Sequence, residues 1–171
     1  MADRSPLDEV GADFVGDVAP YKLTKSWLFN GTHCAIAYLG LLAGYERADE
    51  AMADPMIYHY VERLVHDEIA PLLPKVPGLN VEAYQRVLIR RLVNPKIGDR
   101  LARLAARGST KMPAYLLPSL REARAQGRPH ALLTLAVAAW LRYLRGYDFQ
   151  GNPLLVEDAR SRALTTLDKL G

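Results

Sequence analysis

Cysteine is nearly missing from this chain: Cys34 is the single one among 171 residues. No internal disulfide can form, and a reducing compartment fits. Cys34 falls in an apolar stretch, where a thiol is inert filler rather than a nucleophile. Charge of one sign is scarce too. The net charge is +3, and the basic residues are scattered without interleaved aromatics, so nucleic-acid binding is not expected. Long apolar runs are lacking. The longest mostly apolar one, residues 131–141, is too short to span a bilayer, so no membrane partner is expected. The first residues are polar and acidic and show no secretory signal, and a cytoplasmic protein is the expectation. His33, His59, His66 and His130 match no metal-ligand spacing. His59 and His66 read as surface or interface histidines. No G-x-G-x-x-G follows a strand and no β/α alternation occurs, so the chain is not expected to hold a dinucleotide well alone.

What is present is ordinary globular material. Half the residues are apolar (50%) and a quarter charged (24%), and the length suits one domain with a sizeable core. The hydrophobic period is helical nearly throughout, which predicts an all-α fold. Residues 20–44, PYKLTKSWLFNGTHCAIAYLGLLAG, read as one long helix, with Pro20 at its start and Gly44 as its stop. Its second half is almost wholly apolar and should be buried on most sides. Its first half carries Lys25, Asn30 and His33. At about 100° per residue, Asn30 sits about 140° round from Lys25 and His33 about 80° round, so all three can face one cleft. A cation, an amide and an imidazole in one cavity are costly unless they have partners or a job. Each also has a plain structural reading: a solvated helix end, a cap or turn, a satisfied core histidine. Spacing alone does not decide between these readings.

Residues 1–19 read as a lead-in, with Gly11 and Gly16 as breaks, and residues 20–171 as the helical domain. A short helix over ERADEAMADP ends at Asp54, which caps the next helix with Pro55 at its first position. In that helix Met56, Tyr60, Leu64 and Ile69 are expected in the core. A proline-rich loop follows. Asn80 then caps a helix over 81–93 with apolar positions Tyr84, Val87, Leu88 and Leu92. Asn94-Pro95 opens another helix, expected to run to 106 or 107 and stop at a left-handed Gly108. It presents Arg100, Arg103 and Arg107. GSTKMP reads as a tight loop carrying Lys111, and 114–125 as a helix broken at Pro118. Residues 129–145 are expected to be the central buried helix, packed against the 20–44 helix, and Leu135→Asp to unfold the domain. A Gly-Asn turn suggests a small β-hairpin near 147–157, and 158–170 a closing helix.

One stretch carries a resemblance. KSWLFNGTH at 25–33, a Lys-x4-Asn-x2-His pattern followed by AYLGLLAGY, resembles the signature of the polyol-specific long-chain dehydrogenases. This mannitol dehydrogenase family includes mannitol 2-dehydrogenase, fructuronate (mannonate) reductase, tagaturonate reductase and arabinitol dehydrogenase. FVGDVAPYKLTK upstream, and VPGLNVEAYQRVLIRRLVNPKIGDRLARLAARGSTKMP, VAAWLRYLRG and GNP downstream, follow in the family's order. The resemblance thus covers nearly the whole chain, while the family's amino-terminal nucleotide-binding half is absent. It implies a multi-helix domain like the C-terminal domain of mannitol dehydrogenase, of the 6-phosphogluconate dehydrogenase C-terminal type.

The resemblance also implies roles. Oxidising a secondary alcohol needs a base, a donor for the developing alkoxide and a hydride acceptor. Lys25 would be the base; free lysine has a pKa of about 10.4, which burial and neighbouring cations lower. Asn30 would donate to the oxyanion and His33 would orient a substrate hydroxyl. Arg103 and Lys111 would contact the substrate. The hydride acceptor would be NAD or NADP, held mainly by the absent half, a possible separate Rossmann domain or chain. No metal is implied, since lysine and amides replace a Lewis acid. The substrate would be a linear polyol, ketose or hexuronate, and a hexuronate carboxylate would suit Arg103 and Lys111. Three functions are compatible with the sequence: the substrate domain of such a dehydrogenase, a polyol-binding module without turnover, and a helical interaction domain.

Overall fold

The computed structural model describes residues 14–75, 78–161 and 163. The break at Gly11, most of the lead-in and most of the 158–170 helix lie outside these residues. Within them the fold is all-α, as expected.

The long helix over 20–44 is present, with one departure. Helix α1 (Ala19–Thr24) continues through a π turn (Lys25–Asn30) into α2 (Gly31–Leu42). Pro20 stands in its first turn, and Gly44, at φ +90°, ends it. Helix α2 is the axis of the molecule: Ala35, Ile36, Ala37, Tyr38 and Leu42 are fully buried.

The caps fall where expected. The Asp54 carboxylate accepts from Met56 N at 2.8 Å and starts α4 (Pro55–Arg63), after the short α3 (Ala48–Ala53). The Asn80 side chain accepts from Ala83 N at 2.8 Å and starts α5 (Val81–Leu92). Met56, expected in the core, faces solvent instead, as does the apolar Val87. The inner face of α4 is carried by Ile57 and Val61, with Leu64 continuing the stripe just past its end, and that of α5 by Leu88 and Leu92.

The 94–108 segment differs from its expected single helix. Asn94 caps only a 3-10 turn (Pro95–Ile97), Gly98 reverses the chain at φ +64°, and α6 is the short Leu101–Ala105. Arg107, not Gly108, takes the left-handed conformation, and Gly108 begins α7 (Gly108–Tyr115), so GSTKMP is helix rather than loop. Space explains the glycine. A Cβ at Gly108 would lie 2.5 Å from Tyr38 Oη and collide with the Trp140 indole. The Asp158 carboxylate supports the new helix start by accepting from Ser109 N at 2.6 Å. Helix α8 (Leu117–Ala125) carries Pro118 in its first turn, so the break falls just before the proline.

Helix α9 (Ala131–Tyr143) packs along α2, with the Tyr38 and Tyr143 rings 5.3 Å apart, and α6 packs on α2 as well. Tyr38 Oη donates to Ala105 O at 3.1 Å across the second contact. Leu135 lies on the outer face of α9 and is 44% exposed, so Leu135→Asp would not bury a charge; Leu133 and Ala136 are the inward residues. A second π turn (Leu64–Ile69) follows α4 and places the buried Glu68 at the start of α9. Its carboxylate accepts from Leu132 N at 3.0 Å and Leu133 N at 2.8 Å. The expected hairpin shrinks to one bridge, Tyr147 with Pro153. Between them the Asp148 carboxylate accepts from Gln150 N and Asn152 N, which makes a side-chain-closed turn.

Candidate functional site

The π turn builds the site. Its bonding runs from residue i+5 back to i, as from Gly31 N to Ser26 O. Residues five apart therefore stand close, where an α-helix would separate them by about 140°. Lys25 Nζ donates to Asn30 Oδ1 at 2.8 Å. With that oxygen taken, the amide Nδ2 is the end left to donate into the cleft. Side chains of the next turn bond back onto the widened one. Thr32 Oγ1 donates to Leu28 O, and His33 Nδ1 lies 2.7 Å from Phe29 O. Gly31 keeps the wall tight, because a Cβ there would sit 3.2 Å from the Tyr115 carbonyl oxygen at the end of α7.

His33 is buried, and its ring stacks on Phe29 with centroids 4.3 Å apart. A carbonyl can only accept, so Nδ1 carries the proton and donates to Phe29 O. Burial pushes the histidine pKa down, outweighing the Phe29 carbonyl bond and the Asp99 charge, which raise it. The ring is then neutral, and Nε2 is a lone-pair acceptor. It is buried without a hydrogen-bond partner among the described residues and stands 4.0 Å from Asp99 Oδ2.

This state has a consequence for acid stability. The unfolded chain takes up a proton near the ordinary histidine value of about 6.5, while the folded chain does so only at lower pH. Stability is therefore lost as pH falls from about 6.5 towards the lowered folded value. His33→Asn is expected to remove that share of the loss. Urea midpoints at about pH 7.5 and about pH 5.5 measure it, and an equal drop in both proteins would assign the acid lability elsewhere.

Lys25, Asn30, His33, Arg103 and Lys111 line one cleft of about 260 Å³, so all five expected residues come together. Arg103 and Lys111 already have protein partners. Arg103 Nη2 donates to Asp99 Oδ1 at 2.5 Å. Lys111 Nζ donates to Leu104 O at 3.0 Å near the end of α6, and burial lowers its pKa, with Arg107 and Arg103 adding to the effect. Lys25 is exposed, with its ammonium 5.6 Å from the Phe29 ring centre. Burial raises the Cys34 thiol to about 12, in keeping with inert filler.

Two charged residues of the cleft escaped the sequence reading. Asp99 is buried, and its Oδ2 also accepts from Arg91 Nη2 at 3.1 Å. The spacing of Asp99 and Arg103, four apart, was a signal for the first pair. Nothing in the sequence announced Arg91, which reaches the cleft from the far end of α5. A separate groove of about 570 Å³ lies between α4, the second π turn and α5, and His66 lines it. His59 is exposed and lies 3.7 Å from Glu62. Among the described residues no group of three or more His, Cys, Asp or Glu side chains could hold a metal ion, and no helix is long and apolar enough to cross a membrane.

Fold and cleft define an all-α domain whose central helix presents an amine, an amide donor and an imidazole acceptor to one polar cavity. The chain belongs to the mannitol dehydrogenase C-terminal domain family, whose model matches residues 17–170. It is 44% identical over 162 residues to mannitol dehydrogenase 2 of Saccharomyces cerevisiae, covering 94% of this chain and 32% of that protein. It is 36% identical over 171 residues to a mannitol 2-dehydrogenase of Aspergillus fumigatus, covering 98% of this chain and 34% of the relative. The fold matches the Pseudomonas fluorescens mannitol 2-dehydrogenase ternary complex with NAD and D-mannitol at a TM-score of 0.90 and 36% identity, over 96% of this chain and 34% of that one. A D-sorbitol dehydrogenase in substrate-free form matches at 0.85 and 27% identity, over 92% and 32%. The chain thus spans about a third of the length of these relatives.

Proposed function

We propose that residues 20–171 are the substrate side of an NAD-dependent polyol dehydrogenase of the mannitol type, with residues 1–19 leading into it. The observation that carries this reading is the Lys25–Asn30 bond of 2.8 Å beside the neutral His33. Lys25, once deprotonated, takes the hydroxyl proton of a secondary alcohol while keeping one N–H on Asn30 Oδ1. Asn30 Nδ2 donates to the alkoxide that develops, worth about 3 kcal/mol when preorganised. His33 Nε2 accepts from a neighbouring hydroxyl and fixes the carbon chain. In reverse, the Lys25 ammonium protonates the ketone. A nicotinamide, when bound, supplies the hydride acceptor.

The dinucleotide itself does not suit these residues. The cleft of about 260 Å³ is small beside the roughly 300–1,000 Å³ of drug-sized ligand sites. No glycine-rich phosphate cradle occurs among the described residues. Its phosphates are therefore held by a nucleotide-binding half, in the same polypeptide or another, which also covers the exposed Lys25. A cytoplasmic setting suits the single buried thiol.

Mixing the purified chain with the nucleotide-binding half of a relative, then following NADH formation from D-mannitol, tests this. We expect turnover from the mixture and none from either part. Turnover by this chain alone would place the cofactor within it. No turnover in the mixture, with no heat on titrating D-mannitol, would leave a helical interaction domain.

A further inference from the structure

Among the described residues, two buried polar atoms of the cleft have no hydrogen-bond partner: His33 Nε2, an acceptor, and Arg91 Nε, a donor. They belong to different helices, α2 and α5, and the same carboxylate oxygen lies beside both side chains. Asp99 Oδ2 is 4.0 Å from His33 Nε2 and 3.1 Å from Arg91 Nη2. The Phe29 ring backs both groups, stacked on the imidazole and 5.7 Å from the Arg91 guanidinium carbon. An orphaned acceptor and an orphaned donor are each costly to leave buried. A hydroxyl is the small group that satisfies both, since it gives one proton and accepts another.

We propose that Arg91 and His33 form a subsite for one substrate hydroxyl beside the reacting carbon, with Asp99 as its positioning residue. The hydroxyl donates to His33 Nε2 and accepts from Arg91 Nε–H. Asp99 holds Arg91 through Oδ2 and Arg103 through Oδ1, at the two distances already given. This rests on the polyol dehydrogenase reading and refines its substrate class. A carboxylate at this point has no proton for Nε2 and would face the Asp99 charge. The two arginines that could grip a sugar acid already spend N–H groups on Asp99. The subsite therefore selects a neutral hydroxyl over an acid group.

The test uses the enzyme with both halves, supplied with D-mannitol, its monodeoxy analogues and D-mannonate. In the native enzyme, removal of one particular hydroxyl is expected to lower kcat/KM by about 10- to 100-fold. In Arg91→Met the same deletion is expected to cost clearly less than in the native enzyme, because one of the hydroxyl's two partners is already gone. Asp99→Asn should raise KM for mannitol with kcat within about threefold, and shift the mannitol-to-mannonate preference towards the acid. Asp99→Glu should recover part of that preference. A merely structural role would scale all substrates together and leave their ratios alone. Should Arg91→Met fail to fold, Arg91→Lys keeps the stem and charge but moves the donor, and its analogue ratios carry the same test. Identical ratios in native and variant enzymes overturn the subsite while leaving the polyol reading intact. A native enzyme that neither binds nor oxidises polyols removes that reading and the subsite with it.

Discussion

In the enzyme assembled with its nucleotide-binding half, Lys25→Ala is expected to lower kcat by about 10²–10⁴-fold, with a smaller effect on substrate binding. The amine is the one group of the trio that can give and take a proton along the reaction path. Asn30 does not titrate, and His33 is committed through Nδ1 to the Phe29 carbonyl. Asn30→Ala should still slow turnover. It removes the proposed oxyanion donor and also the oxygen that holds Lys25. An added primary amine is expected to restore part of the rate to Lys25→Ala alone. Near-normal kcat in that variant, with no response to the added amine, would return Lys25 to a solvated helix lysine, and the proton would need another acceptor.

Glu68→Ala is expected to be the most damaging of these substitutions to folding, at about 2–4 kcal/mol. Two first-turn amides of α9 lose their acceptor together, and they do so where water is excluded. Helix α9 is also a principal packing partner of α2, so loosening its start loosens the wall that carries the site. Glu68→Gln keeps one acceptor oxygen and should lose clearly less. Urea unfolding measures both: a lower midpoint at unchanged slope is the expected result. Turnover per folded molecule should stay near native. Native-like stability in Glu68→Ala would mean that another group caps α9.

Much of this architecture could be read from the residues. Asp54 and Asn80 announce helix starts because a short side-chain oxygen before an apolar stripe has one obvious job. The α2 and α9 partnership follows from the two most apolar stretches needing each other. Exposure is harder. Met56, Val87 and Leu135 look like core yet face solvent, because a folded surface always keeps some apolar residues and composition does not mark which. The 94–108 segment misled for a different reason. Gly98 looked like ordinary helix but reverses the chain at φ +64°, and Gly108 looked like a stop but is required by partners distant in the chain, Trp140 and Tyr38. In the cleft, the family pattern pointed to Lys25, Asn30 and His33. Arg91 and Asp99 emerge only when α5 and the turn at Gly98 bring them to the same cleft.

The π turn at 25–30 can also be viewed as a one-residue insertion stored inside a helix. Removing a residue there would let regular winding close across the gap. Helix α2 is locked by neighbours along its length and could not turn, so the rotation would fall on α1. Everything upstream of the deletion would swing by about 100°, Lys25 with it. The amine would then leave Asn30 although both residue types survived. In this protein the count of residues between two side chains is therefore as much a part of the site as their identity. A shortened homologue could keep every chemical group and still be unable to bring them together.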